Sequence, residues 1–91
     1  MAAESPGRLV DRVGRRIGEL RRNARLSQEK FAERLDVSVQ YVSRVESGEN
    51  LTLHSLAAIA KALGVDVNAL FEAPRPEMRA PKRGRGRPRK G

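Results

Sequence analysis

Apolar side chains in this chain return every three or four positions, and each run is bounded by a residue that starts or stops a helix. Leu9, Val13, Ile17, Leu20 and Ala24 trace one face of a first helix, the spacing of an amphipathic turn. Arg8, Arg12, Arg15, Arg16 and Arg22 occupy the other face and read as a solvated stripe. Gly14 and Gly18 fall inside this helix; each weakens it by about 1 kcal/mol relative to alanine, so packing has to hold it. Ser27 is placed to cap a second helix, its hydroxyl accepting an orphan backbone N–H. Glu29 suits the positive end of that helix, and Phe31, Ala32 and Leu35 supply its buried face. Asp36, tolerant of left-handed backbone, ends it.

Ser38 caps a third helix over Val39 to Glu46, with Val42 and Val45 turned inward and Gly48 closing it in the turn Ser47-Gly48-Glu49-Asn50. Thr52 caps a fourth that runs to Leu63, with Leu53, Leu56, Ile59, Ala60 and Leu63 on one side and Gly64 at its end. Asp66 caps a last short helix carrying Val67, Leu70 and Phe71. Sustained period-two alternation is absent, so the expectation is all-α: a five-helix bundle over residues 8–73, preceded by a flexible lead at 1–7 that contains Pro6 and Gly7.

The composition shifts after Ala73. Pro74, Pro76, Pro81 and Pro88 alternate with arginine and glycine, and little apolar remains. Of 91 residues with net charge +8, positions 74–91 hold eight basic residues and one acid, net +7; positions 1–73 hold eleven basic and ten acidic residues, net +1. The chain thus divides into a nearly neutral body and a polycationic tail that cannot bury enough surface to order alone. A body of about 65 residues buries only roughly 60% of its unfolded surface and is marginal, so dimerisation would help it.

Several function classes fall on residue counts. With no cysteine, disulfide scaffolds, thiol catalysis and cysteine zinc sites are excluded. His54 is the sole histidine, which excludes a paired-histidine metal site or proton relay; near the start of the fourth helix it reads as solvated or capping. No nucleophile–base pair points to an enzyme, and no cofactor or small-molecule ligand is implied. No apolar run reaches the length of a membrane span, and Met1 to Gly7 lack the basic-then-apolar order of a signal peptide. The expected setting is cytoplasmic, at the nucleoid, with nucleic acid as polyanionic partner.

The helix pair at 27–46 is the most informative feature. Two short helices separated by a tight turn cross steeply, so their closest approach needs a small residue, and Ala32 fits. The turn needs a residue tolerant of positive φ, which Asp36 supplies at more cost than glycine. Val37, Val42 and Val45 are expected to lock the second helix of the pair onto the first. Val39, Gln40, Ser43 and Arg44 then face outward, where a helix in a major groove touches base edges.

Ser27-Gln28-Glu29-Lys30-Phe31-Ala32-Glu33-Arg34-Leu35, then Ser38 to Glu46, Ser47-Gly48-Glu49 and Leu56 to Val65, resemble the Cro/phage-repressor helix-turn-helix family over roughly residues 10–72. That resemblance implies that Gln28 donates to a DNA phosphate and that Ser38, Val39, Gln40 and Arg44 read bases and backbone, with Ser43 a weaker contact. It also implies that Arg21 and Glu46 form an internal, structural salt bridge. Gln40 suits a bidentate pair with adenine, Arg44 with guanine, and Val39 a thymine methyl. Two departures stand out: Asp36 and Arg25 occupy positions where the family often has glycine. Arg25 also adds a phosphate-binding cation near that end. Stand-alone regulators of this size in the family include restriction–modification controllers and phage-type repressors.

The tail segment Lys82 to Lys90 contains Arg85-Gly86-Arg87-Pro88, which is similar to the AT-hook, a minor-groove motif with a Gly-Arg-Pro core. Gly86 lets the backbone lie near the groove floor, Arg85 and Arg87 extend into the negative potential of a narrow A·T groove, and Pro88 pre-sets an extended backbone. Arg83, Arg89 and Lys90 suit the flanking phosphates. The other readings of the tail are an unspecific polycation acting by counterion release and an RNA-binding Arg/Gly segment, though interleaved aromatics are missing. The resulting expectation is a bacterial or phage-type, sequence-specific regulator of double-stranded DNA, acting as a homodimer. An antitoxin-like partner-binding protein and a sequence-blind architectural DNA-binding protein are the alternatives.

Overall fold

The structure is a computed structural model, and it describes residues 4–74. Four α-helices follow in order: α1, Pro6–Asn23; α2, Gln28–Leu35; α3, Val39–Gly48; and α4, Leu53–Leu63. A 3-10 helix, Val67–Phe71, completes the described residues, which include no strand. No helix among them is long and apolar enough to cross a membrane. The fifth element is therefore not the short α-helix expected from the sequence. It holds five residues between the Asp66 cap and Glu72, and Ala69 N–H bonds Asp66 O at 2.9 Å in the three-residue pattern that short connectors adopt.

Each element begins on a side-chain cap. Ser5, Ser27, Ser38 and Thr52 accept from the N–H of Arg8, Lys30, Tyr41 and Ser55, and Asp66 accepts from Asn68. These caps satisfy donors that the first turn of a helix cannot pair internally. The cap on Ser5 corrects the expected lead at 1–7: Pro6 and Gly7 lie in the first turn of α1. Proline fits there because it has no N–H to strand and its φ is already helical. Glu4 folds back onto the same helix, its carboxylate 3.0 Å from Arg12 Nε. The hydrogen bond from Arg12 holds the Glu4 carboxyl below its ordinary pKa. This contact is therefore present at neutral pH and is lost as pH falls through that lowered value.

Val13, Ile17, Phe31, Ala32, Val42, Val45, Leu56, Ile59, Ala60, Leu63 and Leu70 form one buried cluster. Leu70 is fully buried, whereas Phe71 stays 39% exposed. Several apolar residues expected inside lie outside it, with Leu9 37% and Val67 38% exposed. Val37 sits in the turn between α2 and α3 and is 36% exposed; Leu53, the first residue of α4, is 82% exposed. Arg16 departs the other way, buried rather than part of a solvated stripe. Its guanidinium donates to Ala69 O at 2.8 Å, Glu19 Oε1 at 2.8 Å and Glu72 Oε1 at 2.9 Å, and so bolts the 3-10 helix to α1. Arg12 adds a bond to the Phe71 carbonyl.

α1 lies directly against α3, and the two interior glycines of α1 permit it. A Cβ on Gly14 would stand 2.6 Å from Val45 O and 3.0 Å from Gly48 N, both backbone atoms. A Cβ on Gly18 would meet the Glu46 side chain at 3.1 Å, a group that can shift. The conformational cost of glycine in a helix is thus accepted in exchange for backbone-to-backbone contact. At an exposed helix position Gly→Ala stabilises by about 1 kcal/mol. Gly14→Ala is expected to reverse that sign and lower Tm by several degrees, because overpacking costs about 1–3 kcal/mol. Gly18→Ala should stay near the wild-type Tm. Thermal unfolding followed by circular dichroism reads both; an unchanged or raised Tm for Gly14→Ala would contradict the close approach.

Candidate nucleic-acid interface

The ends of α1, α2 and α3 meet around one carboxylate. Arg21, in the last turn of α1, places Nε 2.6 Å from Glu46 Oε2 and Nη2 3.2 Å from Glu46 Oε1. Its Nη1 donates to Leu26 O at 2.8 Å, which fixes the turn leading to the Ser27 cap. Gln28, the first residue of α2, donates from Nε2 to Glu46 Oε1 at 3.2 Å. Arg21 and Glu46 are largely shielded, with side-chain exposures of 11% and 12%. In the first turn of α2, Lys30 N–H is taken by Ser27 Oγ and Phe31 N–H by Ser27 O. The Gln28 and Glu29 N–H groups remain as the orphan donors of that turn.

The turn from α2 to α3 is closed by backbone bonds. Asp36 sits at φ 59° and ψ 47°, and Val37 N–H bonds Ala32 O at 3.0 Å. Asp36 and Arg25 are the two non-glycine residues at positive φ among the described residues, and they mark the ends of α2 and α1. Ser38 then caps α3 through the Tyr41 N–H at 3.0 Å. Because Val42 and Val45 point into the core, the intervening positions turn outward. Ser38, Val39, Gln40, Ser43 and Arg44 are all exposed, and they form one outer face that starts at the N-terminal end of α3. Gln28 is half-buried beside this face through its bond to Glu46.

Tyr41 was not among the residues singled out from sequence. Its ring carries the Arg44 guanidinium at 5.6 Å from the centroid, a cation–π contact that limits where Arg44 points. The three-residue spacing of an aromatic and an arginine on a helix is the signal that could have found it. His54 is exposed and lines a shallow, largely apolar groove with Leu35, Val37, Tyr41, Ser55, Ala58 and Ile59. Among the described residues no group of three or more His, Asp or Glu side chains is gathered as a metal site requires. The tail residues Arg83, Arg85, Gly86, Arg87, Pro88, Arg89 and Lys90 lie outside the described residues.

A family profile described as helix-turn-helix matches residues 17–70, which takes in α2, the turn and α3. An immunity repressor protein of Bacillus phage phi105 is 37% identical over 59 residues, covering 64% of this chain and 41% of the repressor. This chain thus spans less than half the length of that relative. The control protein C.MunI of a Mycoplasma species is 37% identical over 62 residues, covering 66% of this chain and 84% of the relative. Among solved structures, the restriction-modification controller protein C.AhdI from Aeromonas hydrophila superposes with a TM-score of 0.65 at 35% identity, covering 68% of this chain and 96% of the controller.

The outer face depends on the start of α3, and so on Ser38. Ser38→Ala is expected to cost about 1 kcal/mol through loss of the cap, and Ser38→Asp to retain most of it. Urea unfolding of the two variants checks this; equal midpoints for both would show that the cap contributes nothing.

Proposed function

The chain belongs to the helix-turn-helix family, and we propose that it is a transcriptional regulator that binds specific duplex DNA with the outer face of α3 in the major groove. The observation that carries this is the exposure, on one face, of Ser38, Val39, Gln40, Ser43 and Arg44, next to a helix start at Gln28 with donors to spare. Side chains that no packing requires, set on a helix packed against α1 and α2, are what base reading needs. Arg44 pairs with a guanine and Gln40 with an adenine, each worth about 1–3 kcal/mol of discrimination. Gln28 and the α2 N-terminus hold a phosphate. The names of the relatives, a phage immunity repressor and restriction–modification control proteins, support a regulator acting at a promoter.

The protein acts as a homodimer on two half-sites about one helical turn apart, as the symmetry of such modules favours. Leu53, Val67 and Phe71 are exposed apolar residues, and they support a second copy as neighbour. The Arg85-Gly86-Arg87-Pro88 segment enters a flanking A·T-rich minor groove, and Arg83, Arg89 and Lys90 pair with phosphates there. It adds avidity because tethering raises its effective concentration. The site of action is the cytoplasm, at the nucleoid.

In vitro selection from random duplex DNA with the full chain tests this. The expected result is an inverted repeat with half-sites about one turn apart and an A·T-rich flank. Binding without any enriched sequence would replace the regulator with a sequence-blind coating protein, and absence of DNA binding would favour an antitoxin-like role. On the selected site, Arg44→Ala and Gln40→Ala should each weaken binding by about ten- to a hundredfold. The same substitutions should leave binding to unrelated duplex nearly unchanged. Truncation after Pro74 should weaken both and flatten the salt dependence, because the tail carries most of the net charge.

A further inference from the structure

We propose that Glu46 is the positioning residue of the phosphate anchor, and that Arg21 makes this possible by masking its charge. The proposal rests on Gln28 being a phosphate donor. It starts from an oddity of placement. A carboxylate lies 3.2 Å from the side-chain nitrogen of the very residue expected to meet an anion. Bare, such a group would repel a phosphate brought to the start of α2. It is not bare: Arg21 contacts both carboxylate oxygens, and the pair is shielded enough from solvent that salt screens it little.

A masked carboxylate at this place does something useful. It only accepts hydrogen bonds, so it fixes which end of the Gln28 amide faces it: the nitrogen, not the carbonyl. One N–H of that nitrogen is consumed by Glu46. The bond holds the Gln28 side chain beside the start of α2, where its other N–H and the orphan backbone N–H groups of Gln28 and Glu29 remain as donors. Arg21 closes the arrangement from the other side, since its third donor holds Leu26 O and with it the approach to the Ser27 cap. Gly18 leaves room for the carboxylate, which a Cβ there would meet at 3.1 Å.

The test is a set of cycles in the full chain, measured on the selected duplex and on a random-sequence duplex, with the folded fraction of each variant taken from circular dichroism. Gln28→Ala should weaken binding to both duplexes by the same factor, as a phosphate contact does. If Gln28→Ala leaves both affinities unchanged, the phosphate reading itself fails, and this proposal with it. Arg21→Met should weaken binding at least about tenfold after correction for folding, because a like charge is unmasked beside the contact. Adding Glu46→Gln to Arg21→Met should recover most of that loss, and Arg21→Lys, which keeps the charge, should lose less than Arg21→Met. In the Gln28→Ala background the Arg21→Met effect should shrink severalfold.

A purely structural pair gives a different pattern. Affinity would then follow the folded fraction alone, and the Arg21→Met effect would be the same with or without Gln28. Either outcome overturns the positioning role while leaving the phosphate reading intact. If Arg21→Met does not fold, the cycle between Arg21→Lys and Gln28→Ala carries the same distinction: coupling of threefold or more supports the proposal, and strict additivity overturns it.

Discussion

The geometry of this protein depends on how close the backbone of α1 comes to the backbone of α3. Gly14 permits contact with Val45 and Gly48 main-chain atoms at one point, Gly18 makes room for the Glu46 side chain a turn later, and Arg21 grips that side chain at the next. The three positions lie on one stripe of α1, and the seam they form sets the tilt of α3 relative to the rest of the body. The exposed face of α3 is what remains when that seam and the buried Val42 and Val45 have taken the inner side. A side chain at Gly14 would have to push α3 away, and every contact made through Ser38, Gln40 or Arg44 would move with it.

α2 is held less by its own length than by its ends. Eight residues are too few to be stable alone. Its start is fixed by the Ser27 cap and by the Gln28–Glu46 bond, and its end by the left-handed Asp36 and the Val37–Ala32 bond. Phe31 and Ala32, both buried, hold the middle, and Arg34 reaches across to Ala62 O on α4 at 3.2 Å. The 3-10 helix is fastened in a comparable way. Arg16 and Arg12 hold its carbonyls from α1, and Leu70 is driven into the core. Short elements in a small body are thus specified by capping and by arginine-to-carbonyl bonds, since apolar burial alone is limited at this size.

The parts of this architecture that are local in sequence were legible in it. Serine, threonine and aspartate caps and apolar spacing placed α2, α3 and α4 and the short terminal element, and Asp36 announced its own conformation. Pro6 departs from the expected lead because Ser5-Pro6 is also the pattern of a helix start, where proline costs nothing. Arg16 was misjudged for a different reason. Its burial depends on Ala69 and Glu72, more than fifty residues away; on its own helix, the signals that separate it from Arg15 are its place at the edge of the apolar face, three residues after Val13 and four before Leu20, and Glu19 one turn on. Val37 and Leu53 were misplaced because both are apolar residues at the edge of a turn, where periodicity no longer says which way a side chain points. The outer face of α3 could be read because it is the complement of the buried valines. The Gln28–Glu46–Arg21 chain could not, since it joins three elements.

The arginine count of the body is a poor guide to its electrostatics. Arg12, Arg16 and Arg21 are occupied by carboxylates and carbonyls of the fold itself, and Arg34 holds a carbonyl on α4. With eleven basic and ten acidic residues over positions 1–73, the body exerts little long-range pull on a polyanion. The excess charge resides in positions 74–91, net +7. On the proposed function this divides the work by range. The tail supplies attraction that acts over about a Debye length and is indifferent to sequence. The body supplies contacts that act only when donors and acceptors are within hydrogen-bond reach and that distinguish one base pair from another. A body of high charge would hold wrong sites nearly as well as right ones. Committing four of its nine arginines internally helps keep non-specific affinity low on the surface that reads, so that discrimination depends on a few neutral or locally restrained groups such as Gln40 and the Tyr41-backed Arg44.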